Sequence, residues 1–454
     1  MSLMKSISGI RGIVGQSLTP DLITKIAMAF SRHIGGGTVV VGRDSRGSGG
    51  SIAGCFDAVL SLCGCNVIDI GIVPTPTVQI MVEHMKAKGG VVISASHNPI
   101  QWNAFKLINK SGSFFGPDEM NGFLQLVDEI SPFGVAWNKI KPIHYDDTAR
   151  DIHIQKVLKA IDADAIRKKH FTVVLDSVNG AGSIITPELL KHLGCRIIPI
   201  YCDMQSGVFP RGAEPLAKNL RQLATTVKQH KADIGFAQDP DADRLAIVNE
   251  DGKPIGEELT VTLAVMRCLL KKKGSVVVNM STTRAVEDVA HRFGATVYRS
   301  KVGEIHVVEA MKKHRAVVGG EGNGGVIAPE VHYGRDSLVG IGYCLELMAL
   351  HNTSISELVS SLPAYYMIKD TITVGQGIDT GAIEHEITSQ YHDEIINTLD
   401  GLRVDFIHHN LFKGGWVHLR ASNTEPIFRI IAEGKTKEQC RAMIDAFKTM
   451  TITS

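Results

Sequence analysis

Up to about Pro363, hydrophobic residues cluster in short β-branched runs, each broken by a polar, Gly-rich loop and followed by an amphipathic stretch. Thr38-Val39-Val40-Val41 runs into Gly42-Arg43-Asp44-Ser45-Arg46-Gly47-Ser48-Gly49. Phe171-Thr172-Val173-Val174-Leu175 runs into Asp176-Ser177-Val178-Asn179-Gly180-Ala181-Gly182. Ser275-Val276-Val277-Val278 runs into Asn279-Met280-Ser281-Thr282-Thr283-Arg284. Such runs, bounded by turn residues, predict buried strands. After each loop the pattern predicts a helix, then a Gly-led strand at Gly64, Gly194 or Gly294, a second helix and a third strand. The third strands end at Ser94-Ala95-Ser96-His97, at Gly235-Phe236-Ala237-Gln238-Asp239 and at Val317-Val318-Gly319-Gly320-Glu321. The period is that of one βαβαβ unit in three copies.

Beyond Pro363 the pattern changes. Lys369 to Val374, Leu402 to Phe406 and Gly415 to Arg420 predict antiparallel strands, and about Lys437 to Met450 predicts a closing helix. The expected fold class is therefore α/β: three duplicated α/β domains with mixed sheets plus a C-terminal α+β domain. Expected boundaries are 1–150, 151–255, 256–364 and 365–454. In parallel or mixed sheets of this kind, ligands meet the loops at the carboxyl ends of the strands.

Those loops differ in chemistry. Gly89-Gly90-Val91-Val92-Ile93 delivers Ser96 and His97 to a turn expected to be exposed, where a serine hydroxyl is a candidate nucleophile beside a histidine. Asp239-Pro240-Asp241-Ala242-Asp243-Arg244 sets three carboxylates at alternate positions. Oxygen ligands this close repel unless a cation sits among them, and a tight all-oxygen loop suits Mg²⁺. Gly319-Gly320-Glu321-Gly322-Asn323-Gly324-Gly325 offers Glu321 and Asn323 to vicinal hydroxyls, as a sugar requires. Arg420-Ala421-Ser422-Asn423-Thr424-Glu425-Pro426, with Arg429 after it, has the makings of a phosphate cradle. No GxGxxG follows the first strand and no GxxxxGK[ST] occurs. A nucleophile, a divalent-metal loop, a polyol loop and a phosphate clamp are the parts that phosphoryl transfer to a phosphorylated sugar needs.

Composition narrows the setting. Lys and Arg total 48 and Asp and Glu 47, a net charge of +1, which argues against a general nucleic-acid binder. The eight cysteines form no CxxC pair, as expected of reduced thiols in a cytoplasmic protein. The longest apolar runs, such as Leu263 to Leu270, are too short to span a bilayer, so no membrane partner is expected.

Over nearly its whole length the chain resembles the α-D-phosphohexomutase family, through Ser94-Ala95-Ser96-His97-Asn98-Pro99, Asp239-Pro240-Asp241-Ala242-Asp243-Arg244, Gly320-Glu321-Gly322-Asn323-Gly324 and Arg420-Ala421-Ser422-Asn423-Thr424 in that order. The resemblance implies a heart-shaped four-domain protein around one central cleft, with Ser96 carried as a phosphoserine. It implies a hexose 6-phosphate/1-phosphate mutase, an intramolecular phosphotransferase, working through a 1,6-bisphosphate that also serves as activator. The ligands of one Mg²⁺ per chain would be Ser96, Asp239, Asp241 and Asp243. Arg11 and Arg244 would neutralise the transferring group and His97 support it. Lys106 would be the general acid or base, its pKa lowered by neighbouring cations. Glu321 and Asn323 would hold sugar hydroxyls, Lys301 would contact substrate, and Arg420, Ser422, Asn423, Thr424 and Arg429 would hold the non-reacting phosphate. A hinge near Ala364 would close the last domain. The partner implied is a small phosphosugar, with the chain a monomer or homodimer.

Trp102-Asn103-Ala104-Phe105-Lys106 and Gly320-Glu321-Gly322-Asn323-Gly324-Gly325 depart from the common family forms. They look like a subgroup assigned as phosphoglucosamine mutases, and they also occur in enzymes handling glucose or mannose phosphates. Glu304, where relatives place a substrate-contacting His, is expected to favour an amino sugar through charge. A sugar-phosphate phosphatase and a non-enzymatic sugar-phosphate binder are the competing readings.

Overall fold

The computed structural model describes residues 3–373, 380–421 and 427–453. Among these, four sheets form in chain order. The first has seven strands, in the spatial order Met4–Ser6, Gly9–Ile13, Trp102–Asn109, Gly89–Ile93, Thr38–Arg43, Asn66–Ile72, Ile143–Tyr145. The second orders Leu245–Asn249, Ile234–Gln238, Thr172–Asp176, Arg196–Ile200, and the third Val297–Ser300, Val276–Asn279, Val318–Glu321, Gly325–Ile327. The fourth is antiparallel throughout: Tyr366–Thr373, Ile427–Gly434, Trp416–Ala421, Leu402–Asp405, Ile395–Asn397.

The first three sheets share one plan. A central strand pairs parallel with two neighbours (Thr38–Arg43 with Asn66–Ile72 and Gly89–Ile93, and likewise around Thr172–Asp176 and Val276–Asn279). The third strand of each unit then turns back into an antiparallel fourth. The serine loop, the aspartate loop and the glycine-rich loop all occupy that one turn, between strands 89–93 and 102–109, 234–238 and 245–249, and 318–321 and 325–327. Topology therefore brings three unlike chemistries to equivalent positions.

Helices cover the sheets because their apolar positions repeat at helical spacing. Pro20–Ile34 starts at a Thr19 cap, turns Ile23, Ile26, Ala27 and Phe30 inward, and stops at Gly35 in the left-handed region. Helix Ser337–His351 is buried on nearly every side and joins the second and third units, whose side chains form one continuous core from Ile154 to Leu362 that also takes in Ile80 from the first unit. The first sheet has further clusters of its own, one on each face, and the last sheet has its own core. Burial pushes the thiols of Cys63, Cys268 and Cys440 up to about 11, which leaves them inert at neutral pH. No helix among the described residues is long and apolar enough to cross a membrane.

Candidate active site

The turn carrying Ser96 is not exposed, as the sequence suggests, but buried: Ser96 retains 4% of its accessible surface. The cause is Arg46. Its guanidinium donates to the carbonyls of Ser96, Asn98, Pro99 and Trp102 at 2.6–3.0 Å, so one side chain satisfies four backbone acceptors of the loop. Asp44 pairs with Arg46 at 3.0 Å and accepts from the Ser94 hydroxyl at 2.6 Å, and Ser94 in turn accepts from the Ser96 N–H. So held, Ser96 sits at φ +47°, a left-handed conformation that costs a non-glycine residue about 1–3 kcal/mol. Ala242 in the aspartate loop is held likewise, at φ +51°.

Ser96 Oγ donates to Asp239 Oδ2 at 2.9 Å and lies 3.4 Å from His97 Nδ1. Asp239, Asp241 and Asp243 are fully buried, with one oxygen from each within 4.8 Å of the others. Burial, then Asp243 and Asp241, raise the Asp239 carboxyl well above its ordinary range. Burial acts on Asp241 in the same direction, but the Lys106 ammonium at 2.5 Å, with Thr75, outweighs it and holds Asp241 ionised. Oδ1 of Asp241 and Oδ1 of Asp243 are buried with no hydrogen-bond partner. Three converging carboxylates with two unsatisfied oxygens fit a hard divalent cation. The aspartate loop is gripped from both sides: Thr75 N–H donates to the Asp241 carbonyl at 3.0 Å, and the Ser337 hydroxyl to the Ala242 carbonyl at 2.6 Å.

Lys106, on strand Trp102–Asn109, departs from expectation. Burial favours loss of its proton, yet Asp241 and Asp243 win and its pKa is raised, not lowered. The cations near the serine act on His97 instead. Burial, then Arg244 and Arg11, push its imidazole down to about 3, so it is neutral at physiological pH.

The glycine-rich loop closes on the aspartate loop. Leu245 N–H donates to the Gly324 carbonyl at 3.0 Å, and a Cβ at Gly324 (φ +87°) would lie 2.4 Å from the Leu245 carbonyl. Only glycine allows that approach. Glu321 Oε1 accepts from Asn279 Nδ2 at 2.8 Å and Gly303 N–H at 2.9 Å, and Oε2 from Arg335 at 2.7 Å. Arg335 also reaches Asp243 at 2.6 Å and Glu304 at 3.1 Å, so one buried cation joins the aspartate loop, the sugar loop and the start of helix Glu304–His314. The other Glu304 oxygen accepts from Gln79 at 3.1 Å. Burial raises the Glu304 carboxyl to about 7 although Arg335 opposes this. Both Glu304 oxygens are thus engaged inside the protein, where the sequence reading has Glu304 facing a sugar amine.

A single cavity of about 640 Å³ gathers these groups: Arg11, Ser96, His97 and Lys106 from the first unit, Arg244 from the second, Glu304, Glu321 and Asn323 from the third, and Arg420 and Arg429 from the last. Lys301 is exposed and is not among the residues lining it. Arg420 and Arg429 stand directly opposite each other on adjacent antiparallel strands. Like charges so placed are destabilising unless an anion lies between them. Asp400 offsets part of this through Arg420 at 3.3 Å. Ser422, Asn423 and Thr424 lie outside the described residues.

Asp44, Arg46, Thr75 and Arg335 carry much of this geometry, and the sequence gives them no role. Asp44 and Arg46 sit in a loop legible only as the end of the first strand. Arg335 shows nothing local at all, because its three carboxylate partners come from 14 to 92 positions away.

Residues 4–132, 151–252 and 256–366 match the models of phosphoglucomutase/phosphomannomutase alpha/beta/alpha domains I, II and III, and residues 394–449 match the C-terminal domain of the same family. The chain is 34% identical over 447 residues to a probable phosphoglucosamine mutase of Methanopyrus kandleri, covering 97% of this chain and 96% of that one. It is 36% identical over 446 residues to a phosphoglucomutase/phosphomannomutase of Thermococcus kodakarensis, covering 96% of each. A crystal structure of a phosphoglucomutase/phosphomannomutase family protein from Burkholderia thailandensis superposes with a TM-score of 0.83, at 24% identity over 98% of this chain and 97% of that one. The chain therefore belongs to the phosphoglucomutase/phosphomannomutase family and is a sugar-phosphate mutase, an isomerase that acts by phosphoryl transfer.

Proposed function

We propose that this enzyme interconverts the 6- and 1-phosphates of a hexose, with Ser96 carrying the phosphoryl group between them and with glucosamine phosphate the preferred substrate. The observation that carries the chemistry is the Ser96 hydroxyl 2.9 Å from Asp239 of a buried aspartate trio, in a cleft also lined by the opposed pair Arg420 and Arg429.

In the first half-reaction the bond from phosphorus to Ser96 Oγ breaks and a bond to the free sugar hydroxyl forms. The hydroxyl proton leaves and the serine oxygen regains one. The return half-reaction reverses this with the other phosphate. Arg11 and Arg244 line the cleft with Ser96 and would offset the charge of the transferring group. Lys106 enters as an ammonium, an acid able to return a proton to an oxygen. Neutralising Asp241 and Asp243 removes the causes that raise its pKa, and burial then turns it toward a base. Asp239, Asp241 and Asp243, with an oxygen on Ser96, would hold one Mg²⁺, which when bound supplies positive charge to the phosphoryl oxygens. Arg420 and Arg429 hold the phosphate that is not reacting. Because they read phosphate and not sugar, either end of a 1,6-bisphosphate suits them, and such a bisphosphate should activate the enzyme.

Preference for the amino sugar is supported by the likeness to the probable phosphoglucosamine mutase of Methanopyrus kandleri; Glu257, Glu258, Glu304 and Glu321 line the cleft but are already paired with Lys369 or Arg335. A coupled assay across glucosamine, glucose and mannose 6-phosphates tests it through the ratio of specificity constants. Equal ratios would remove the sugar assignment, and steady release of free phosphate would remove the mutase assignment in favour of a hydrolase. Glu304→Gln separates direct recognition from support: selective loss on glucosamine 6-phosphate marks contact, whereas equal loss on all three marks its bond to Arg335.

A further inference from the structure

Asp400 stands in the turn between strands Ile395–Asn397 and Leu402–Asp405 of the last sheet, where that sheet meets the third unit. Its carboxylate has a partner on each side of the boundary. Oδ1 pairs with Arg420 Nε at 3.3 Å, and Oδ2 accepts from Val302 N–H at 2.8 Å. The next N–H along the chain, that of Gly303, donates to Glu321 Oε1 at 2.9 Å. One carboxylate therefore stands between a proposed phosphate ligand and the segment that holds a proposed sugar ligand. Asp400 is not itself among the residues lining the cleft.

The tie is short and pinned. The Asp400 carbonyl accepts from His418 Nε2 at 2.6 Å, which fixes the turn. Peptide units are planar, so only the φ and ψ of Val302 separate the N–H that Asp400 holds from the N–H that Glu321 holds. The Asp400 side chain is 16% exposed, so a partner that withdrew would leave an oxygen only partly rehydrated, at a cost. Other bonds also hold the last sheet to the third unit, such as Arg284 to Asp405 at 2.6 Å and to the Gly414 carbonyl at 2.7 Å. Those residues have no proposed part in holding phosphate or sugar.

We propose that Asp400 is a positioning residue for sugar recognition: its carboxylate ties Arg420 to the backbone that holds Glu321, so that seating the phosphate also sets the grip on the sugar. A phosphate that orders Arg420 orders Asp400, and through Val302 and Gly303 the Glu321 carboxylate. Release of the phosphate slackens both grips together, which suits an intermediate that must present each of its ends in turn. The inference rests on the assignment of Arg420 to phosphate and Glu321 to sugar hydroxyls. It is independent of which hexose is preferred and of the metal.

A double-mutant cycle on the full chain tests it, with kcat/KM read on whichever hexose 6-phosphate is turned over best. Arg420→Ala and Glu321→Gln should each lower kcat/KM. Their combined loss should fall short of the product of the two by about tenfold, because freeing one end already loosens the other. Asp400→Asn keeps the size of the side chain but offers one acceptor oxygen, which cannot serve both partners. In that background the two losses should multiply. A residue that only stabilises the fold would lower the thermal melt and leave the shortfall in place. Losses that multiply in the wild type overturn the inference while leaving the site assignment intact, and so does a shortfall that survives Asp400→Asn. Single changes without effect would instead remove the assignment of Arg420 and Glu321, and the inference with it.

Discussion

Ser96 and Asp239 share a hydrogen bond of 2.9 Å across 143 positions of sequence. The contact joins the serine loop of one unit to the aspartate loop of the next and fixes where a phosphoryl group on Ser96 would sit. Ser96→Ala removes the oxygen proposed to carry that group. Turnover should fall by at least about a thousandfold, while sugar-phosphate binding, measured by calorimetry, should change little. Activity within tenfold of wild type would take Ser96 out of the chemistry.

Asp239 answers the metal question with effects of opposite sign. Three buried carboxylates repel in the absence of a cation, so Asp239→Asn should leave the metal-free protein no less stable than wild type. Millimolar Mg²⁺ should raise the wild-type melting temperature through linkage and raise that of the variant less. Chelator should abolish activity and Mg²⁺ restore it. A melting temperature unmoved by Mg²⁺ in the wild type would argue against a site there.

Asp44→Asn would leave the Arg46 guanidinium, 1% exposed, without its carboxylate. Breaking a buried pair by removing one partner costs about 3–5 kcal/mol, read as a lower urea midpoint. The serine loop hangs on that guanidinium, so kcat should drop with KM nearly unchanged. A stable variant with normal kcat would show that the loop holds itself.

His418 ties the last sheet to the third. Its Nε2 donates to the Asp400 carbonyl at 2.6 Å, so Nδ1 accepts from the Ser281 hydroxyl at 2.9 Å. Burial pushes its pKa down from 6.5 to about 4. Above pH 6.5 both folded and unfolded chains hold it neutral. As pH falls toward 4 the unfolded chain takes up a proton that the folded one refuses, and about 3 kcal/mol of stability is lost. His418→Gln should flatten that part of the pH dependence, measured by chemical denaturation at pH 7.5 and pH 5. An unchanged slope would place the acid sensitivity elsewhere.

The sequence by itself determined the repeated unit, the change of pattern after Pro363 and the chemistry of each loop. Strand periodicity, turn residues and alternate aspartates are local signals, written within a few positions of one another. It also named Ser96, the three aspartates, Glu321 and the opposed arginines, since each closes or lines a strand it could recognise. What only the tertiary structure decided was what those groups do to one another. Ser96 is buried because Arg46 binds four carbonyls of its loop, and Lys106 is held as an ammonium because Asp241 lies against it. Glu304 turns to Gln79 and Arg335, while Lys301 stays outside the cleft. Burial and charge pairing between distant segments set these states, and neither is encoded in the spacing of residues along the chain.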